Sequence, residues 1–239
     1  MTGLSVKNLN YAYGVKQALK DVSFHVPAGR FCALLGPNGA GKSTLFALLT
    51  RLFVAPQGQI EITGHDMCQT PRKALQQMGV VFQQPTLDLD LSVQHNLTYF
   101  AALHGLSGRS AQTHIDTALD RLEMRERSGE IVRALNGGHR RRLEIARSLI
   151  HRPKVLLLDE PTVGLDAATR RSITDYVHSL STDDGLTVLW ATHLCDEIRD
   201  SDQLLILHHG HLLEAGETRA LRGERPLTDH FLALTGGLA

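Results

Sequence analysis

The chain has 239 residues, of which 42% are hydrophobic and 21% are charged, so it can bury the core of one large globular domain. Its 25 basic and 25 acidic side chains balance, which argues against the positive field of a nucleic-acid-binding protein. No apolar run approaches the ~18–20 residues of a membrane-spanning helix, and the cysteines have neither metal-site nor disulfide spacing. We therefore expect a cytoplasmic protein, and any membrane process that it serves needs another chain to span the bilayer.

The N-terminal part of the chain alternates apolar and polar residues in the manner of β-strands. Residues 4–9 and 22–26 show this pattern, and residues 59–62 form another short strand followed by a Thr-Gly turn. We expect these strands to form an antiparallel flap. Tyr11 and Tyr13 lie in this region, and either could decorate the surface or stack on an adenine ring; residue type alone leaves both readings open.

A glycine-rich loop follows the apolar run at residues 31–35, and residues 45–53 after it are expected to form a buried helix. The loop fits the phosphate-binding pattern of Gly, any four residues and Gly-Lys-Ser. Its amide groups and the helix dipole attract an anion, Lys42 neutralises the outer phosphates, and the Ser43 hydroxyl ligates Mg²⁺. The sequence therefore predicts a nucleoside triphosphate site formed by Gly36, Pro37, Asn38, Gly39, Ala40, Gly41, Lys42, Ser43 and Thr44.

The rest of the chain alternates further strands with helices. A short apolar strand ends at Gln83, residues 92–150 are mostly helical, and strands resume at residues 155–158, 186–191 and 204–207. Continuous apolar strands predict an α/β fold with a mostly parallel sheet covered on both faces. We expect a core with its flap at residues 1–84 and 151–220, an inserted α-helical subdomain at residues 85–150, and a C-terminal tail at residues 221–239.

Polar residues follow four of the predicted strands, and they suit phosphate chemistry. Parallel strands end at one edge of a sheet, where ligands bind, so we expect the phosphate loop, Gln83, Asp159, Glu160 and His193 to converge there. Asp159 is the expected Mg²⁺ ligand, Glu160 the general base for an attacking water, and His193 a partner of the terminal phosphate. Gln83 would sense Mg²⁺ or the water. Taken alone, His193 is equally consistent with a core histidine.

These residues resemble the ATP-binding cassette (ABC) ATPases, the motor subunits of ABC transporters. Gln83 is similar to the family's Q-loop glutamine, His193 to its switch histidine, Tyr13 to its adenine-stacking aromatic, and residues 163–166 to its D-loop. The sequence Leu-Asn-Gly-Gly-His at residues 135–139 stands where the family carries its Leu-Ser-Gly-Gly-Gln signature. The resemblance covers residues 2–220 and is strongest to the drug- and lipid-export branch.

The resemblance implies a P-loop NTPase (RecA-like) core, with ATP and Mg²⁺ as cofactors. It also implies a head-to-tail dimer, in which Asn136, Gly137 and Gly138 at the start of a helix complete the nucleotide site of a second copy. We expect a homodimer that drives a separately encoded integral-membrane permease from the cytoplasmic face of the inner membrane. Asn136 replaces the family's serine but keeps a donor. His139 replaces glutamine, which suggests that activity depends on pH near neutrality.

Other interpretations compete with these. The His-His-Gly-His run at residues 208–211 could bind a metal, but a β-hairpin turn explains it better. Arg140, Arg141 and Arg142 could form a nucleic-acid patch, but a solvated or subunit-facing side of a helix fits better. A soluble ABC-type regulator of ribosomes or DNA is an alternative function, although one cassette without net positive charge does not favour it. A scaffold that binds ATP without hydrolysing it is disfavoured by Glu160.

Overall fold

The computed structural model describes residues 2–236, whose strands form two β-sheets with helices packed against them. The strands are β1 (Thr2–Tyr13), β2 (Lys16–Pro27), β3 (Phe31–Leu35), β4 (Gln57–Ile62), β5 (His65–Asp66), β6 (Met78–Val81), β7 (Val155–Asp159), β8 (Thr187–Thr192), β9 (Gln203–His208) and β10 (His211–Glu217). The helices are α1 (Lys42–Leu49), α2 (Pro71–Gln76), α3 (Val93–Leu103), α4 (Gly108–Arg121), α5 (Gly137–Leu149), α6 (Ala167–Thr182), α7 (Thr218–Arg222) and α8 (Leu227–Thr235).

The larger sheet has the strand order β10-β9-β3-β8-β7-β6, and only the edge strand β10 runs antiparallel to its neighbour. Every residue of β3, β7 and β8 is buried, which explains why these strands read as continuous apolar runs. Alternate residues of β3 serve two cores: Phe31 and Leu35 face one, and Leu34 faces the other, which includes α1. The predicted α/β class with a mostly parallel sheet is confirmed.

The smaller sheet has the order β2-β1-β4-β5 and is antiparallel throughout. Its apolar side chains, among them Leu4, Val6 and Val22, join α1 in the second core. The predicted flap is therefore confirmed, but β1 and β2 each span 12 residues and are longer than the sequence pattern indicated. Register shifts near Asn8, whose φ is 48°, break the alternation without ending the strand.

Helices α3, α4 and α5 occupy the segment between β6 and β7, as the helical pattern of residues 92–150 predicted. Leu97, Ile115 and Ile145 carry their apolar faces into the first core. Side-chain caps set two of the starts, since Ser92 accepts from the backbone N–H of His95 and Asn136 from that of His139. The proposed boundaries of a separate helical subdomain remain a prediction.

Two local expectations differ from the structure. Helix α1 ends at Leu49 rather than continuing to residue 53, because Arg51 adopts a left-handed φ of 59° and the chain turns. Phe53 therefore lies outside the helix, and its ring stacks on that of Tyr11 with the ring centroids 5.6 Å apart. The tail predicted at residues 221–239 contains the end of α7 and all of α8, and its residues 237–239 lie outside the described part of the chain. Within residues 2–236, no helix has the length and apolarity needed to cross a membrane.

Candidate nucleotide site

The loop between β3 and α1 has the backbone geometry of an anion site. A Cβ on Gly36 would lie 2.5 Å from the carbonyl oxygen of Leu207, and Gly41 has a φ of 114°, so both positions need glycine. The buried Lys42 directs its Nζ back along the loop and donates to the carbonyl oxygens of Gly36 at 2.6 Å and Pro37 at 3.3 Å. The Lys42 ammonium group therefore lies where the amide groups of the loop and the N-terminus of α1 converge.

Four neighbouring strand ends meet at Glu160. Its Oε1 lies 3.1 Å from Lys42 Nζ and 3.5 Å from His193 Nδ1, and its Oε2 accepts a hydrogen bond from Gln83 Nε2 at 3.3 Å. The four residues come from distant parts of the chain, and adjacency of β3, β8, β7 and β6 brings them together. Glu160 has a φ of 45°, which is unusual for a residue other than glycine and is typical of functional sites.

Asp159 is the most isolated acid of this edge. The side chain is buried, and its Oδ1 has no hydrogen-bond partner among the described residues. Burial, followed by repulsion from Glu160, raises the pKa of Asp159 to about 6, while Lys42, a hydrogen bond with Ser43 and Arg141 act in the opposite direction. A free carboxylate oxygen next to a serine hydroxyl is the oxygen donor set that Mg²⁺ prefers. The residues present therefore fit this ion.

An open pocket of about 710 Å³ surrounds the loop. Its wall combines residues 37–44 with Tyr13, Gln83 and Glu160, and a volume of this size suits a small-molecule ligand. Lys16 and Lys20 also line it, although no sequence motif predicted them. The β1–β2 hairpin, in which Lys16 pairs with Tyr13, brings Lys16 to the pocket.

Tyr13 and Tyr11 differ in their relation to this pocket. The Tyr13 hydroxyl lies 3.3 Å from Thr44 Oγ1, and the ring, 48% exposed, borders the pocket. Tyr11 does not line the pocket and instead stacks on Phe53. Of the two aromatic candidates, Tyr13 has the geometry for stacking on a base.

The predicted hairpin at residues 208–211 forms between β9 and β10, with His209 and Gly210 in its turn. The Gly210 N–H donates to the carbonyl oxygen of Ala40, and this hydrogen bond ties the hairpin to the phosphate loop. His208 and His209 consequently line the nucleotide pocket. Within residues 2–236, no cluster of three or more His, Cys, Asp or Glu side chains could hold a metal.

The signature-like loop lies apart from the pocket. Asn136 and Gly137 are exposed and Gly138 is half-buried, and none of the three lines the pocket. The Asn136 side chain accepts from the His139 N–H at 2.9 Å and so caps α5. Burial, followed by the charges of Arg127 and Arg142, lowers the pKa of His139. His139 therefore gains its positive charge at a lower pH than an ordinary histidine does.

The prediction that the arginines at residues 140–142 face solvent or another subunit is wrong for Arg141. This side chain is buried, and it donates to the carbonyl oxygens of Phe82 at 2.7 Å and Gln83 at 3.0 Å. It also pairs with buried Glu144 at 2.8 Å, whose other oxygen accepts from the Thr86 N–H. Burial lowers the pKa of Arg141 and raises the pKa of Glu144. The i,i+3 spacing of opposite charges was the available signal for this pair.

Comparison with known proteins agrees with this geometry. The family described as "ABC transporter" matches residues 19–163. The daunorubicin resistance ATP-binding protein DrrA3 of Streptomyces coeruleorubidus is 37% identical over 224 residues, which are 93% of this chain and 71% of that protein. The linearmycin resistance ATP-binding protein LnrL of Bacillus subtilis is 33% identical over 214 residues, which are 89% of this chain and 68% of that protein.

Solved structures share the fold along most of the chain. CbiO1 of Clostridium perfringens, part of the ABC transporter complex cbiONQ, superposes with a TM-score of 0.85 at 28% identity, covering 97% of this chain and 95% of its own. The ATP-binding cassette MJ0796, in a dimeric post-hydrolysis state bound to ADP and Pi, superposes with a TM-score of 0.80 at 27% identity, covering 90% of this chain and 99% of its own.

Proposed function

This chain belongs to the ABC transporter family as an ATP-binding, ATP-hydrolysing subunit, and we propose that it drives a separate membrane permease from a head-to-tail dimer. The observation that carries this proposal is the convergence of Lys42, Gln83 and His193 on Glu160, beside a buried and unpartnered Asp159 oxygen. That arrangement offers the charge neutralisation, the base and the phosphate partner that phosphoryl transfer to water requires.

We assign the nucleotide contacts from the pocket, which residues 37–44, Tyr13 and Gln83 line; Gly36 and Asp159 directly precede lining residues. The loop of residues 36–44 holds the phosphates through its backbone N–H groups, which all of its residues except Pro37 carry, and Tyr13 stacks on the base. Ser43 and Asp159 hold Mg²⁺, with Gln83 as a third oxygen donor. When bound, Mg²⁺ neutralises charge on the β- and γ-phosphates.

The proposed reaction uses Glu160 as its general base. Lys42 forms its ion pair with Glu160 at 3.1 Å here, and phosphates in the loop would compete for the same cation. Released from Lys42, Glu160 takes a proton from water as the water oxygen bonds to the γ-phosphorus and the bond to the β-phosphate oxygen breaks. His193 hydrogen-bonds the γ-phosphate, and ADP and phosphate leave.

A second copy would complete each site. Asn136 and Gly137 are exposed at the start of α5, a 13-residue helix whose amide groups and dipole attract phosphate. Since neither residue lines the pocket of its own chain, we propose that they contact the nucleotide of the partner copy. The dimeric structure of the MJ0796 cassette supports this arrangement.

The membrane partner is proposed from the names of the relatives. DrrA3 and LnrL are named as resistance ATP-binding proteins, which favours an export system over a regulator of ribosomes or DNA. We propose that this chain associates with the cytoplasmic face of the membrane through a permease that is a different polypeptide.

Glu160→Gln tests both hydrolysis and dimerisation. With ATP and Mg²⁺, we expect turnover to fall by about 10²–10⁴-fold, because the amide cannot take the proton, while an ATP-bound dimer accumulates in size-exclusion chromatography with light scattering. Glu214→Gln is the matched control: Glu214 lies on β10, is hydrogen-bonded to His230, and should give wild-type turnover. Unchanged turnover in Glu160→Gln would refute the site, and a variant that stays monomeric at high protein and ATP concentration would refute the dimer.

A further inference from the structure

A buried carboxylate lies just beyond the strand that ends at His193. Glu197 belongs to a short 3₁₀ turn, Cys195–Glu197, and is 3% exposed. Its Oε2 accepts hydrogen bonds from Trp190 Nε1 at 3.0 Å and Thr192 Oγ1 at 2.6 Å, and its Oε1 accepts one from Thr162 Oγ1. Neutral groups alone satisfy this carboxylate among the described residues, because none of the ion pairs there includes it.

Two of these donors adjoin the proposed catalytic residues. Thr162 stands two positions after Glu160, and Thr192 directly precedes His193. The Thr192 hydroxyl also accepts from the Leu194 N–H at 3.0 Å, which holds the backbone on both sides of His193. One carboxylate therefore ties the segment after Glu160 to the strand end that carries His193.

Burial of a carboxylate in this environment costs folding free energy, which indicates that Glu197 has a specific role. A buried carboxylate loses its hydration, and only hydrogen bonds to it offset that loss. The two threonine donors are themselves 2–3% exposed, so water does not substitute for them. A hydrophobic side chain would fill the same space at lower cost but could not join the two segments.

We propose that Glu197 is a positioning residue for ATP hydrolysis, which holds Glu160 and His193 in register across the ends of β7 and β8. The proposal rests on the function assigned above, which makes Glu160 the base and His193 the phosphate partner. Their side chains lie 3.5 Å apart, and small displacements at such distances change rates strongly. Among residues 2–236, Glu197 has no hydrogen bond to the phosphate loop, and it does not line the nucleotide pocket, so its loss should lower kcat and leave ATP binding intact.

The conservative and disruptive variants give opposite expectations. In Glu197→Gln, the carbonyl oxygen can accept from Trp190 and Thr192, and the Thr162 hydroxyl can rotate to accept from the new amide. We expect this variant to keep kcat within about threefold of wild type. Glu197→Ala removes all three hydrogen bonds and should lower kcat by about 100-fold.

Thr162→Val tests the link with little change in side-chain shape. We expect kcat to fall by about tenfold while the KM for ATP stays within twofold, and Thr192→Val should behave in the same way. Thr218→Val is the matched control, since its buried hydroxyl also donates one hydrogen bond, to the carbonyl oxygen of Asp202 at 2.9 Å, away from the site. Circular dichroism melts would establish that each variant is folded at the assay temperature.

A second background separates positioning from general destabilisation. In Glu160→Gln protein, adding Thr162→Val should lower the residual rate by clearly less than tenfold, because Glu160, one of the two residues whose relative position the link sets, is already gone. An equal loss in both backgrounds, or wild-type kcat in Thr162→Val, would overturn the proposal even when Glu160→Gln abolishes turnover. If Glu160→Gln itself retains full turnover, the proposed function fails, and this inference fails with it.

Discussion

Asp159→Asn is expected to stabilise the nucleotide-free protein while abolishing its Mg²⁺-dependent activity. Burial, with repulsion from Glu160, raises the pKa of Asp159 from 3.8 to about 6. A difference of about two pKa units, at about 1.4 kcal/mol per unit, means that ionised Asp159 destabilises the fold by roughly 3 kcal/mol at neutral pH. The amide of asparagine would lack a partner where Oδ1 has none, which offsets part of the gain, so we expect about 1–2 kcal/mol.

The direction of the expected pH dependence follows from the raised pKa of Asp159. A carboxyl group whose pKa is raised in the folded state keeps its proton there between about pH 4 and 6, while the unfolded chain has lost it. The stability of the wild type therefore falls as pH rises through this window and reaches its full penalty above about pH 6. The advantage of Asp159→Asn should be largest at pH 7.5 and nearly vanish at pH 5, where the penalty on the wild type is about half as large but the cost of the amide is unchanged. Near pH 4 the variant should be slightly less stable than the wild type.

Urea unfolding without Mg²⁺ or nucleotide measures this difference at both pH values. Asp229→Asn, an exposed acid in the first turn of α8, is the control and should change stability by less than about 0.5 kcal/mol. An Asp159→Asn variant that is destabilised at pH 7.5, or equally stabilised at pH 5 and pH 7.5, would show that the buried carboxylate is not the cause. Full Mg²⁺-dependent turnover in this variant would refute the assignment of Asp159 as a metal ligand.

Three further variants test other parts of the site. Arg141→Leu removes the ion-pair partner of buried Glu144 and should lower the free energy of unfolding by about 3–5 kcal/mol, whereas Arg171→Leu, at an exposed position of α6, should cost less than about 1 kcal/mol in the same denaturation assay. His139→Gln should change the ATPase pH profile only on the acidic side of the usual histidine range, because burial lowers the pKa of His139; a difference between the two profiles confined to pH 7 to 8 would contradict this expectation. Tyr13→Ala should raise the KM for ATP by about tenfold at unchanged kcat, and Tyr11→Ala should leave both constants near wild type in steady-state assays.

The sequence predicted best those elements in which every side chain has the same environment. Strand β3 was located to the residue, because all five of its side chains are buried and a glycine-rich loop follows. Helix α1 was extended too far because residues 52–54 are apolar and continue its pattern. In the structure Leu52 is 66% exposed and Val54 is 64% exposed, so the apolar pattern there does not record burial.

The site shows the same division. Lys42, Gln83 and His193 could be found because each ends an apolar strand or belongs to a local motif, and parallel strands must end at one edge. Arg141 and Glu197 could not be found in this way. A charged residue in a sequence reads as solvent-exposed unless its partners are visible. The i,i+3 spacing shows only Glu144 among the partners of Arg141, because the carbonyl oxygens of Phe82 and Gln83 are 59 and 58 residues away. Glu197 has neutral donors alone, at 5, 7 and 35 residues, and no pattern of charges marks them.

The edge of the larger sheet brings together charges and a backbone conformation that are unfavourable for stability. Asp159 and Glu160 are adjacent buried acids, Glu160 has a left-handed backbone, and Lys42 is a single cation close to both. Because Lys42 cannot fully neutralise Glu160 and a triphosphate at once, entry of the phosphates weakens the ion pair that occupies the base. The same event would bring Mg²⁺ to Asp159, whose Oδ1 has no hydrogen-bond partner in the described part of the chain. We propose that an arrangement that lowers the stability of the nucleotide-free protein thereby makes Glu160 available as a base only when ATP is present.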